Sequence, residues 1–381
     1  MNKEVKFLQT GDIHLETSFK DMGFSLEMAR RRRNELKEVF SRIIKVAKEE
    51  RVDIILITGD LFEHQNSTKS LMRFLQKKFC RIPQIKIFIT PGNQDPALPD
   101  SFYRSFPWPQ NVHIFLKEAW EYVDLPRFNL RVHGLGWNQW EIKRPLLREL
   151  KIDSNDKTNL VMLHGDSFGQ LGESICLPVS ESDLRSTKAE YVALGHRHQT
   201  HRIPGKGKII AHYAGSPEPL NFGEPGEHGV ILGTLNKTDV HLKFKPIAKR
   251  KFIQNNIRVK SNHTLEKICN NIKNSVDKEE RKNNIYSFKL IGESDESIGV
   301  NSELIKEKLI NDFFYLEIND CTIPDYDLES LIRENLHTAV GIFTLKMKDE
   351  IDRAKGNNQE ILKNSLYYGL DSLLGKEVNV R

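Results

Sequence analysis

Short apolar runs punctuate the first 245 positions of the chain, and longer segments of mixed polarity separate them. The runs VKFLQT, DIILIT, KIFIT, LRVHGL, LVMLHG, YVALG, KIIAHYA, GVILGTL and VHLKFKPI read as strands. Several are continuously apolar, as expected for strands covered on both faces. Between the first two, Leu36, Val39, Phe40, Ile43 and Ala47 recur at helical spacing and predict an amphipathic helix. Strands alternating with helices predict an α/β fold built in layers.

The pattern changes near AKRKF, residues 248–252. Beyond it FIQNNIRV, IYSFKLIG and FFYLEIND read as strands, and LEKICNNI and ELIKEKLI as helices. These predict a small second α/β domain, with DKEERKNN as a solvated loop. After Pro324 a helical pattern runs over 325–353, weakened at Gly341, and the terminal helices break at Gly356. The expected domains are 1–248, 249–320 and 321–381.

Composition narrows the class. The chain has 381 residues, 38% hydrophobic and 29% charged, and contains no run of about 18 apolar residues. Its start lacks the apolar core of a secretion signal. Cys80, Cys176, Cys269 and Cys321 are far apart with no CxxC pair, which fits a reducing cytoplasm and argues against thiolate zinc. The formal charge of +5 permits an anionic partner without requiring one. Arg30 to Arg33 stand in succession in ARRRRNELK, either a solvated charged turn or a phosphate contact, and KPIAKRKF could line a nucleic-acid path.

Candidate chemistry lies just after the strands. GDIH gives Asp12 and His14, GDLFEH gives Asp60, PGNQD gives Asn93, LHGD gives His164, and LGHRH gives His196 and His198. Ligands of open α/β sheets bind at the carboxyl ends of strands, so these scattered residues can converge. Seven oxygen or imidazole ligands exceed the four of one zinc and suit two metal ions sharing a carboxylate. Asp60 is the expected bridge, because it ends the best buried strand. Asp12 and His14 are expected on one side of an extended segment, and His196 and His198 likewise. Carboxylate, amide and imidazole favour Mn2+, Fe2+ or Zn2+, with Mn2+ preferred. His113 and His133 read as structural.

These five motifs resemble those of the calcineurin-like metallophosphoesterases, over about residues 5–245. VDIILITGD and YAGSPEPLNFGEPGEHGVIL are similar to the SbcD nucleases and to the YhaO-like DNA repair exonucleases. The resemblance implies a four-layer α/β/β/α sandwich with a dimetal site at one edge of the sheets. It implies Asp12, His14, Asp60 and His198 around one ion, and Asp60, Asn93, His164 and His196 around the other. It further implies DNA as substrate, a capping domain at 249–320, a homodimer, and docking through C-terminal helices to an SbcC-like coiled-coil ATPase. No GxxxxGK[ST] loop is present, so that ATPase would be another polypeptide.

One departure stands out. The family's residue after the metal-binding Asn is ordinarily a His that helps protonate the leaving group, and here it is Gln94. A glutamine amide donates a hydrogen bond but does not titrate near neutral pH. Three readings follow: Gln94 orients the phosphate while His64, His201 or a water supplies the proton; the enzyme is slow or takes esters with good leaving groups; or a histidine has been replaced in this chain. The expected activity is a metal-dependent DNA phosphodiesterase. A small-molecule phosphodiesterase and a catalytically weak DNA-binding subunit are the alternatives.

Overall fold

The computed structural model describes residues 4–152, 156–167, 176–205, 209–295, 300–376 and 378. The described chain divides into two units, Met1–Lys251 and Phe252–Arg381.

The first unit runs β1 (Val5–Thr10), α1 (Leu26–Glu49), β2 (Ile54–Thr58), α2 (Lys69–Phe79), β3 (Lys86–Thr90), α3 (Phe102–Ser105), β4 (Val112–Ile114), β5 (Trp120–Leu125) and β6 (Leu130–Leu135). It continues β7 (Thr158–His164), α4 (Glu181–Ser186), β8 (Tyr191–Gly195), β9 (His201–Pro204), β10 (Ile209–Tyr213), β11 (Gly229–Leu235) and β12 (Val240–Pro246). Two six-stranded sheets form, in the orders β12-β11-β1-β2-β3-β4 and β5-β6-β7-β8-β10-β9. All nine expected strands are present, although Lys208, at the start of KIIAHYA, lies outside the described residues.

Alternation along each strand builds the layers. Val5, Phe7, Ile54, Leu56 and Phe88 of the first sheet pack on Leu130, Leu160, Met162, Tyr191 and Ala193 of the second. The opposite faces, Leu8, Ile55, Ile57, Ile87 and Ile89, meet Leu36, Val39, Phe40 and Ile43 of α1 and Leu71, Leu75 and Phe79 of α2. Beyond the second sheet, Val161, Leu163, Val192 and Leu194 lie under Trp137, Ile142, Leu146, Leu177 and Leu184. The architecture is thus the expected four layers, but the last is mostly loops and short turns around α4. Polar side chains cross between the sheets: buried Gln9 donates through Nε2 to Leu194 O (3.2 Å) and His212 O (2.7 Å) and accepts from Tyr191 Oη at 2.5 Å, and Thr58 Oγ1 donates to Leu194 O (3.2 Å).

Within the arginine run only Arg32 departs from a solvated turn. Successive helical residues fan around the axis, so Arg32 turns fully inward while Arg30 and Arg31 stay exposed. Arg32 Nη1 donates to Glu35 Oε2 (2.6 Å) and Glu218 Oε1 (2.8 Å). Arg250, in the basic stretch that could line a nucleic-acid path, is buried and donates to both oxygens of Glu35. Burial pushes the Glu35 carboxyl up, but the bonds from Arg250 and the Arg32 charge outweigh it and hold it below its ordinary 4.5. A depressed carboxyl stabilises the fold above its unfolded value and loses that contribution as pH falls through its lowered value. Glu35→Gln, which leaves two buried cations short of a partner, is expected to cost about 3–5 kcal/mol at neutral pH. It should also flatten the loss of thermal stability below pH 4.5, read from melting curves across pH 3–7.

The second unit runs β13 (Phe252–Val259), α5 (Leu265–Asn274), α6 (Lys278–Asn283), β14 (Ile285–Ser294), α7 (Ser302–Leu309), β15 (Tyr315–Pro324), α8 (Leu328–Glu334), α9 (Ala339–Arg353) and α10 (Asn357–Leu373). β13, β14 and β15 form a parallel sheet, with Tyr286, Phe288 and Leu290 packed on Ile268, Ile272, Ile305 and Leu309. β15 continues past residue 320, so the terminal helices begin only at Leu328. DKEERKNN is not a loop: α6 forms there, with Glu279 and Glu280 in the first turn and Arg281 and Lys282 in the last, matching the helix dipole. Gly341 belongs inside α9, where an added Cβ would lie 2.1 Å from Asn335 O. It allows the close approach of the chain leaving α8 rather than ending the helix.

Candidate metal centre

The carboxyl ends of β1, β2 and β3 in one sheet, and of β7 and β8 in the other, bring the predicted residues together. Their glycines serve this convergence. An added Cβ on Gly195, closing β8, would lie 1.7 Å from Thr58 O at the end of β2. On Gly59 it would lie 2.3 Å from His164 Nδ1, and Gly59 also has φ +89°. Both positions exclude a side chain.

The main chain through the motifs is turned, not extended. Asp12 and His14 have φ 50°, Asp60 48° and His196 103°. Asp and His tolerate this left-handed region better than most residues. The Asp12 amide donates to Gly59 O (3.0 Å), and those of Ile13 and His14 both donate to Asp60 O (2.8 and 3.0 Å). Folding around the carbonyls after β2, rather than a period-2 strand, directs the Asp12 and His14 side chains.

Among the described residues two sets of side chains lie close enough to hold a cation: Asp12, His14 and His198, and Asp12, Asp60 and His164. Asp12 is common to both. Asp60 Oδ2 lies 3.8 Å from His14 Nε2 and 3.4 Å from His164 Nε2, facing both imidazoles. Asn93 Oδ1 lies 2.9 Å from His164 Nε2. The paired histidines after β8 serve different neighbours. His198 Nε2 meets His14 Nε2 at 3.1 Å, whereas the His196 ring packs edge-on to His164, with centroids 5.2 Å apart. The His196 amide donates to Asp12 Oδ1 at 2.9 Å.

The hydrogen bonds fix what these atoms offer. Glu63 Oε1 accepts from His14 Nδ1, and Glu224 Oε1 from His198 Nδ1, both at 2.8 Å. Thr58 O takes the Nδ1 proton of His164 at 3.0 Å. All three Nε2 atoms therefore turn lone pairs inward, toward carboxylate and amide oxygens. An imidazole whose other nitrogen is held by a carboxylate or carbonyl is the usual metal-ligand arrangement. A buried cluster of acceptors facing acceptors is satisfied by a cation. The residues present fit divalent metal ions.

The charges tell the same story. Burial raises the Asp12 carboxyl well above 3.8, and the Asp60 charge adds to it. Burial opposes ionisation of Asp60 too, but His164 and His14 outweigh it and hold that carboxyl low. Burial lowers His164, and lowers His196 to about 4 with His164 contributing. Burial also disfavours the charged forms of His14 and His198, yet their bonds to Glu63 and Glu224 raise both above 6.5.

Three carboxylates escaped the sequence reading. Glu63 and Glu224 orient His14 and His198. Asp95 accepts from the amides of Asp60 (3.1 Å), Leu61 (2.7 Å) and Gly92 (2.6 Å) and from Tyr103 Oη (2.5 Å), so it ties the GDLFEH loop to the PGNQD loop. Burial, with the Asp60 charge, pushes its carboxyl to about 7. Glu224→Gln is expected to weaken Mn2+ binding about 10–100-fold, read by titration of the folded protein; unchanged affinity would remove Glu224 from the site.

Gln94 sits between these anchors. Its amide donates to Asp60 Oδ1 (2.8 Å), its carbonyl accepts from the His64 amide (2.9 Å), and its side chain is exposed. Of the two histidines considered as proton sources, His64 lies with Nε2 3.6 Å from Asp100 Oδ1 and its ring edge-on to Trp140. His201 opens β9, in register with Tyr213. His133 is a satisfied structural residue, with Nε2 3.1 Å from Asn159 Oδ1.

This fold and this acceptor cluster are those of a phosphoester hydrolase. The sequence pattern of the calcineurin-like phosphoesterases matches residues 5–200, and the chain belongs to that family, whose membership implies divalent metal ions. The chain is 25% identical over 252 residues to the uncharacterized metallophosphoesterase YhaO of Bacillus subtilis, covering 64% of this chain and 61% of that protein. It is 24% identical over 237 residues to the DNA double-strand break repair protein Mre11 of Methanopyrus kandleri, covering 57% and 50%. Among solved structures, a dimetal phosphatase from Danio rerio aligns with 11% identity and a TM-score of 0.38, over 64% of this chain and 96% of that one. The chain thus spans between half and about three-fifths of the length of these curated relatives. Among the described residues no helix is long and apolar enough to cross a membrane.

Proposed function

We propose that the chain is a metal-dependent phosphodiesterase that hydrolyses DNA, an exo- or endonuclease of repair, with two divalent ions, Mn2+ ahead of Fe2+ or Zn2+. The observation that carries hydrolysis is the buried acceptor cluster of Asp12, Asp60, His14, His164 and His198. Similarity to a protein named for DNA double-strand break repair supports DNA as the substrate.

When bound, the ions supply Lewis acidity to the phosphoryl oxygens and acidify water near neutral pH. The chain's own residues prepare the site for them. Glu63, Glu224 and Thr58 O fix the imidazole tautomers, and the Gln94 amide holds Asp60 Oδ1 so that Oδ2 turns inward. The exposed Gln94 amide can orient a phosphate by hydrogen bonding but delivers no proton to the departing oxygen. That same residue favours a second reading, a catalytically weak DNA-binding subunit.

One assay separates the readings: purified protein with Mn2+, end-labelled single- and double-stranded DNA, and bis-p-nitrophenyl phosphate. Cleavage of DNA supports the nuclease. Cleavage of only the small ester points to a small-molecule phosphodiesterase, and DNA binding without cleavage to the weak subunit. A homodimer, a separate SbcC-like coiled-coil ATPase as partner, a capping role for 249–320, docking by the terminal helices and a cytoplasmic location belong to the same proposal.

A further inference from the structure

The arginine run leaves a question the reaction does not absorb: why α1 buries Arg32 among carboxylates. Desolvating such a group is costly, and a buried ion cluster is a poor source of stability by itself. Its bonds lead to the metal centre. Arg32 spans two partners on one short segment: Nη1 donates to Glu218 Oε1 (2.8 Å) and Nη2 to Pro219 O (3.0 Å). The Lys249 amide holds the other oxygen of Glu218 at 2.5 Å. The next residue, Leu220, donates its amide to Glu224 Oε2 (3.1 Å). Asn221 Nδ2 donates to Glu224 Oε1 (2.9 Å), the same oxygen that holds His198 Nδ1. Ser216 Oγ adds a further bond to Glu224 Oε2 (3.0 Å).

We infer that Arg32 is a positioning residue for the metal centre: by gripping residues 218–219 it sets the loop that presses Glu224 onto His198. The planar fork is what the task requires. A guanidinium spans a carboxylate and a carbonyl in fixed geometry, while an ammonium offers one compact charge. The inference rests on the reading of His198 as a metal ligand and is independent of the substrate.

Arg32→Ala leaves Glu35 and Glu218 without their shared cation and can unfold the unit, so Arg32→Lys is the informative variant. It keeps the charge and loses the fork. Mn2+ alone is titrated into wild type, Arg32→Lys and Phe79→Leu, a core change in α2, at a temperature where circular dichroism shows all three folded. Arg32→Lys is expected to bind Mn2+ about 10–100-fold more weakly, and Phe79→Leu within twofold of wild type despite a lowered melting temperature. Arg32→Lys binding Mn2+ as tightly as wild type would overturn the inference and leave the metal site standing. An equal loss in Phe79→Leu would overturn it too, since affinity would then follow stability alone. A wild type that binds no Mn2+ would overturn both the site and the inference.

Discussion

Asp60→Asn is expected to abolish measurable phosphodiester hydrolysis and to weaken Mn2+ binding by more than about 100-fold, the upper end of what losing a ligand's hydrogen-bonded neighbour costs. The substitution keeps the shape of the side chain and an oxygen for the Gln94 amide, now 2.8 Å away. It removes the charge and turns an NH2 group toward His14 Nε2 and His164 Nε2, which Asp60 Oδ2 faces at 3.8 and 3.4 Å. In the metal-free protein that donor satisfies lone pairs and relieves Asp12 of a like charge that helps raise its carboxyl. Melting temperature without metal should therefore not fall, while the rise on adding Mn2+ should vanish. Activity and Mn2+ stabilisation that persist in Asp60→Asn would remove this carboxylate from the centre.

Gln94→His should act in the opposite direction. Both main-chain bonds of residue 94 are independent of its side chain, and the side chain is exposed, so the fold accommodates the change. An imidazole there can protonate a departing alkoxide, and a positioned general acid typically contributes on the order of 10²–10⁴ in rate. Turnover of DNA with Mn2+ is expected to rise by about 10²-fold, with an alkaline fall in rate that the parent lacks as the imidazole loses its proton. The gain should be small for bis-p-nitrophenyl phosphate, whose leaving group needs no proton. Equal DNA turnover in both proteins would show that residue 94 transfers no proton here.

The strands and the five motifs were legible because continuous apolar runs closed by Gly and a polar residue leave little freedom. The edge strands β4, β5 and β9 were not, since all are only partly buried and β4 and β9 are also short. Glu63 and Glu224 carried a signal that went unused: a ligand imidazole needs a partner on its other nitrogen, and each is a carboxylate inside a quoted stretch. Arg32 carried an unused signal too: it stands four and seven residues before Leu36 and Val39, on the predicted inward stripe of α1. Nor does strand periodicity apply to Asp12 and His14, whose left-handed backbone lies beyond the strand.

Gln9 has a consequence for the spacing of the candidate ligands. Asp12, Asp60 and Asn93 hang from one sheet, and His164, His196 and His198 from the other, so any sliding of one sheet across its mate would pull the ions' cage apart. The amide that bridges from β1 to Leu194 O and His212 O, together with Thr58 Oγ1 on Leu194 O, works as a dowel against such shear. Altering the seam between the sheets at Gln9 would then change the spacing of these side chains without replacing any of them.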